Sequence, residues 1–119
     1  MGMRQEAFGV FVVGSALILA ACSSQPDNSR EVAAGQRLHE ETAGGVGCAS
    51  CHGMNARGEG LAPDIRGVTA DQIIDSLKNT EDMREIALTK ADINDIVAFL
   101  AMLKEKALKA QQAVAAQQD

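Results

Sequence analysis

The sequence predicts an all-α domain of three to four helices, and three observations predict it. No segment alternates apolar and polar residues as a strand would. Thr69 and Thr89 each stand three positions before a Gln or Asp and just ahead of an apolar stripe of 3.6-residue period, the pattern of a capped helix start. The 119 residues are 46% hydrophobic but only 3% aromatic, with no Trp and no Tyr. Aromatic rings normally supply much of a small core. These helices therefore need another body to pack around: a metal, disulfides or a cofactor. One domain fits the length; two independent cores do not. The net charge of -5 disfavours nucleic acid, whose phosphates need clustered Lys and Arg. Plentiful, periodic hydrophobic residues are not those of a disordered chain.

The first 21 residues read as an address. A short polar start with Arg4 precedes the apolar run Ala7 to Ala21, which is 15 residues against the ~20 that span a bilayer. The end of the run, Leu19-Ala20-Ala21-Cys22, resembles the bacterial lipobox. That resemblance implies cleavage before Cys22, diacylglycerol on its thiol and acylation of the new amine, which together hold a protein on a membrane. Ser23 stands where an inner-membrane retention signal carries Asp, so outer-membrane sorting is expected in a Gram-negative source. Residues 22–29 are polar with one Pro and read as a flexible tether. Removing residues 1–21 takes away Arg4 and Glu6, so the mature side chains keep the charge of -5. Phe99 is then the one aromatic left, since Phe8 and Phe11 lie in the signal.

From residue 30 to 104 the chain carries the domain. Ser29 caps a first helix, Arg30 to Glu41, with Val32, Gly35, Leu38 and His39 on one face. A glycine inside a helix costs about 1 kcal/mol relative to Ala, and close passage of another helix would explain Gly35. Ala43 to Gly47 breaks this helix. Cys48-Ala49-Ser50-Cys51-His52 follows, a CxxCH. Two thiols at this spacing can add to the two vinyl groups along one side of a porphyrin, and the next residue can ligate the iron. A thioredoxin-like CxxC would need a βαβ setting, which is missing. A zinc site would need a fourth ligand, and His39 is the other histidine. A disulfide across four residues would leave His52 without a part. The odd third cysteine, Cys22, is taken by the lipid. Haem c attachment outside the cytoplasm agrees with the export signal.

After a glycine-rich loop, Gly53 to Gly60, the Thr69 box opens a second helix to about Asn79 that presents Ile73, Ile74 and Leu77. The Thr89 box opens a final helix with the stripe Ile93, Ile96, Val97, Leu100 and Leu103, flanked by Phe99 and Met102. Residues 105–119 are rich in Ala and Gln and read as a helical or frayed extension.

Taken in order, these elements resemble a small class I cytochrome c over about Arg30 to Lys104. The matching features are Gly35-Gln36-Arg37-Leu38-His39, Cys48 to His52, Ala62-Pro63-Asp64-Ile65-Arg66-Gly67, the helix Thr69 to Asn79, Met83, and Phe99-Leu100. The chain departs from the family's pattern at His39, where Tyr or Phe is usual, and at Arg84, where Pro often follows the axial Met. The resemblance implies one covalent haem c wrapped by three to four helices, with Cys48 and Cys51 as thioether sites, His52 as proximal ligand, the Pro63 carbonyl accepting the Nδ1 proton of His52, and Met83 as sixth ligand. Four side chains compete for that sixth place. Met54 is too close to His52 along the chain, Met102 sits on a helix at packing spacing, and His39 would give bis-His ligation. Met83 lies 31 residues after His52 between two helices, a length that can wrap the far face. Arg66 could meet a haem propionate or remain solvated.

With His52 and Met83 both on iron no site stays open, which favours electron transfer over catalysis. The expected protein is a membrane-tethered, monomeric, non-enzymatic one-electron carrier between a donor complex and an oxidase, reductase or reaction centre, facing the periplasm or cell exterior. Two other functions remain open on sequence: a cytochrome subunit of a periplasmic dehydrogenase complex, and a haem sensor of gas or peroxide with an open sixth site.

Overall fold

A computed structural model describes Gly9 and residues 27–118 of the chain. The signal expected over 1–21, the lipid site Cys22 and most of the tether lie outside the described residues. Four α-helices carry the fold: α1 (Ser29–Arg37), α2 (Ala49–His52), α3 (Ala70–Asn79) and α4 (Lys90–Ala116). Among the described residues there is no strand, only one isolated bridge between Glu59 and Ala62. None of their helices is long and apolar enough to cross a membrane.

The start of α1 corrects the expected cap. Ser29 is the first helical residue, Asn28 holds the cap position without a side-chain bond, and the Asp27 carboxylate accepts the Ser29 amide at 3.0 Å. The side chain and the amide of Ser29 together hold the Asp27 carboxyl below its usual range. The expected single helix to Glu41 also changes type: from Leu38 to Thr42 the chain winds as one π-helical turn, then tightens to a 3-10 turn over Ala43–Gly45. A wide turn inserts an extra residue and re-aims the side chains after it. His39, inside it, points fully into the protein.

Helices α3 and α4 begin as their sequences dictate. The Thr69 amide donates to Gln72 Oε1 at 2.8 Å while the Gln72 amide donates to Thr69 Oγ1 at 3.2 Å. The Thr89 amide donates to Asp92 Oδ2 at 2.8 Å and the Asp92 amide to Thr89 Oγ1 at 3.1 Å. Each pair satisfies two amides that the helix itself leaves free.

The core lies where α1 crosses α4. Ile96, Phe99 and Leu100 of α4 are buried there with Ala56. A Cβ added to Gly35 would overlap the Asp95 carbonyl and lie 2.9 Å from Phe99 Cβ, so the glycine lets two backbones meet. Helix α3 has no buried residue; its apolar side faces a cleft instead. Helix α4 runs for 27 residues, about 40 Å. Its part beyond Lys104 is helical to Ala116 and largely exposed, with Leu108 and Val114 open to solvent.

Candidate haem site

The attachment segment is a single helical turn. His52 donates its amide to the Cys48 carbonyl at 2.9 Å and Gly53 to the Ala49 carbonyl at 2.9 Å. This winding gathers Cys48, Cys51 and His52, at i, i+3 and i+4, on one side. The Ser50 hydroxyl donates to the Gly47 carbonyl at 2.8 Å and braces the start of the turn. Both thiols are free; Cys48 is half-buried and Cys51 exposed. Burial pushes the Cys48 thiol up, so it rests protonated.

His52 is buried, and its Nδ1 lies 2.9 Å from the Pro63 carbonyl oxygen. A carbonyl only accepts, so Nδ1 carries the proton and Nε2 is left with its lone pair, the form a metal binds. The His52 carbonyl in turn accepts the Gly58 amide at 2.9 Å. Pro63 sits in a loop fastened by the Ile65 amide on the Ala56 carbonyl at 3.0 Å and the Gly67 amide on the Leu100 carbonyl at 3.1 Å.

These groups open onto a cleft of about 780 Å³. Cys48, Cys51, His52, Pro63 and Met83 all line it. The size is that of a cofactor site. Its walls are chiefly apolar: Ile73 and Leu77 come from α3, Ile96 and Leu100 from α4. Two thiols, a proximal imidazole with a free Nε2 and a broad apolar chamber fit a covalently attached porphyrin. Among the described residues no three His, Cys, Asp or Glu side chains form a metal cluster of their own.

The sequence-predicted side chains divide as follows. Met83 is half-buried on a 3-10 turn, Glu81–Met83, whose Met83 amide donates to the Thr80 carbonyl at 3.0 Å. Met54 is 62% exposed and stands outside the cleft lining. Met102 packs on the core. His39 is buried behind the attachment segment with Nε2 2.9 Å from the Gly53 carbonyl, and it does not line the cleft. Arg66 is committed to Asp64: Nη2 to Oδ2 at 2.6 Å and Nε to Oδ1 at 3.0 Å, which holds the Asp64 carboxyl well below the usual carboxylate range. Of the apolar residues that the sequence puts on α3 and α4, Ile73, Leu77, Ile96 and Leu100 line the cleft, whereas Ile74, Ile93 and Val97 do not. Sequence reasoning missed Ile65, Val68, Ile86 and Leu88. Their signal is slight, an apolar pair in each of two irregular segments.

Fold and site define an all-α domain built to carry haem on a CxxCH segment. The family model described as Cytochrome c matches residues 32–85, from within α1 to just past Met83. Cytochrome c-554(547) of Halothiobacillus neapolitanus is 42% identical over 43 residues, which cover 36% of this chain and 42% of that relative. The chain thus spans under half the length of the relative it matches. No solved structure matches it. Residues 32–85 thus match a cytochrome c domain of the small class I kind, and such a domain implies a covalent haem c with its iron.

Proposed function

We propose that the protein is a one-electron carrier whose haem iron is held by His52 and Met83, with Cys48 and Cys51 as the thioether sites. The observation that carries this reading is that His52, with Nδ1 committed to Pro63, and Met83, from the segment between α3 and α4, line one cleft. Bound haem c supplies a one-electron couple between ferric and ferrous iron. The chain supplies the rest. The Pro63 carbonyl orients the His52 ring and raises its basicity. Ile73, Leu77, Ile96 and Leu100 exclude water, and a thioether ligand raises the reduction potential relative to a second imidazole. The test is Met83→Ala: it is expected to lose the weak ~695 nm band of the oxidised protein, lower the potential and let the ferrous form bind CO. An unchanged spectrum would remove Met83 from the iron, and rapid CO binding by the unaltered ferrous protein would replace the carrier with an open-site haem protein.

The lipobox-like Leu19 to Cys22 supports a second part of the proposal, a lipid anchor on Cys22 facing the periplasm or cell exterior. With α1 starting at Ser29, the six residues Ser23 to Asn28 reach at most about 20 Å from that anchor. The mass of the mature polypeptide reads this directly, through the acyl chains it does or does not carry.

The third part concerns the redox partner. Glu59, Asp82 and Glu85 are exposed and border the cleft, and among the described residues no Lys or Arg does. A partner with a basic docking patch fits this rim. The bimolecular electron-transfer rate is then expected to fall about tenfold on going from low to physiological salt, because screening removes the steering. A rate that rises with salt would reject an oppositely charged partner.

A further inference from the structure

His39 stands outside the cleft yet touches both ends of the segment that attaches the cofactor. Its ring is fully buried, beside Phe99 at 5.4 Å between ring centres and tilted by 44°. Nε2 lies 2.9 Å from the Gly53 carbonyl oxygen, the residue directly after His52. That oxygen also accepts the Ala56 amide at 3.0 Å, so two donors hold it. The main chain of His39 seats the other end: a Cβ added to Gly47, directly before Cys48, would lie 2.6 Å from the His39 carbonyl oxygen. The Glu40 carbonyl carbon is equally close to that point, at 2.6 Å, so the π-helical turn flanks the attachment segment on both sides, with His39 present at each.

A carbonyl oxygen has no proton to give, so the imidazole donates and Nε2 carries the hydrogen. Nδ1 is then bare, buried and without a partner. Burial lowers the pKa of the ring and keeps it in this neutral state. A hydrocarbon ring would fill the same space without an orphan nitrogen. What histidine adds here is the N–H on Gly53.

We propose that His39 is a positioning residue for the haem: its N–H on the Gly53 carbonyl, and its main chain against Gly47, set the pitch of the Cys48–His52 turn and through it the orientation of the His52 ring. The proposal rests on His52 being the proximal ligand.

The first test uses the unaltered holoprotein. Nitrogen-15 NMR of the His39 ring is expected to show hydrogen on Nε2 and none on Nδ1; the reverse tautomer would overturn the proposal whatever any variant does. The second compares His39→Phe, which keeps an aromatic ring but loses the donor, with His39→Gln, whose amide nitrogen reaches the place of Nε2. Since Ala56 still holds the Gly53 carbonyl, His39→Phe is expected to fold. Its ferric haem-methyl NMR signals, whose spread follows the axial imidazole plane, should shift. Exchange of the Gly58 amide, bonded to the His52 carbonyl, should quicken about tenfold. His39→Gln should return both towards the unaltered protein. Unchanged methyl signals and exchange in His39→Phe would reduce His39 to a packing residue. An absence of hyperfine shift on the His52 ring of the unaltered protein would instead reject the ligand reading, and leaves the tautomer result standing by itself.

Discussion

Replacing both Cys48 and Cys51 by Ala is expected to yield a chain without cooperative unfolding. The buried hydrophobic residues among those described are few, and two of them are alanines: Ala43, Ala56, Ile93, Ile96, Phe99 and Leu100. Helix α3 has no fully buried residue, and its Ile73 is only partly covered by the core. Ile65, Val68, Ile73, Leu77, Ile86 and Leu88 face the cleft, and their burial depends on what fills it. Fully burying a Val, Leu or Ile side chain is worth about 1.5–3 kcal/mol. Four or five such side chains left wet offset the whole stability of a small domain, about 5–15 kcal/mol. The far-UV circular dichroism of the double variant should show reduced helix and a broad, featureless thermal loss. A sigmoidal transition with the helix content of the holoprotein would show that side chains alone build a sufficient core.

Gly35→Ala has the second largest expected effect. On an exposed helix this change stabilises by about 1 kcal/mol. Here the new Cβ would overlap the Asp95 carbonyl, and backbone cannot rotate away as a flexible side chain can. Forcing extra volume into packed helices costs about 1–3 kcal/mol, and more when main chain must move. Set against the helix gain, the upper end of that cost leaves an expected net loss of about 2 kcal/mol or more, measured by urea unfolding of the holoprotein with the slope unchanged. A gain in stability would mean that α1 and α4 do not cross at Gly35.

What could be read from the sequence was local. Thr69 with Gln72 and Thr89 with Asp92 lie three residues apart, so their reciprocal bonds are written in the chain itself. The CxxCH spacing is likewise one helical turn, and its chemistry follows from that. Gly35 was legible as an anomaly, since an unfavourable residue in a helix asks for a close neighbour. The π-helical turn was not legible: Leu38 to Thr42 has the composition of any helix, and the wider winding depends on what the turn packs against. The place of His39 followed the same rule. Its partner, the Gly53 carbonyl, is a main-chain atom that any residue could supply. The lining by Ile65, Val68, Ile86 and Leu88 was hidden because apolar residues in irregular segments show no period, and only the folded loop brings them to one chamber.

The crossing at Gly35 also sets the order in which entropy is lost. The groups that meet there, Gly35 and Asp95, are roughly 60 residues apart along the chain, and joining them costs about 3–4 kcal/mol in loop closure beyond a constant. Contacts so distant in sequence slow a search that short helices alone would finish quickly. A haem bonded at Cys48 and Cys51, as proposed, would sit between the two ends and offer each half of the chain a nearby surface. Attached early, it would shorten the distance over which α1 and α4 must find each other.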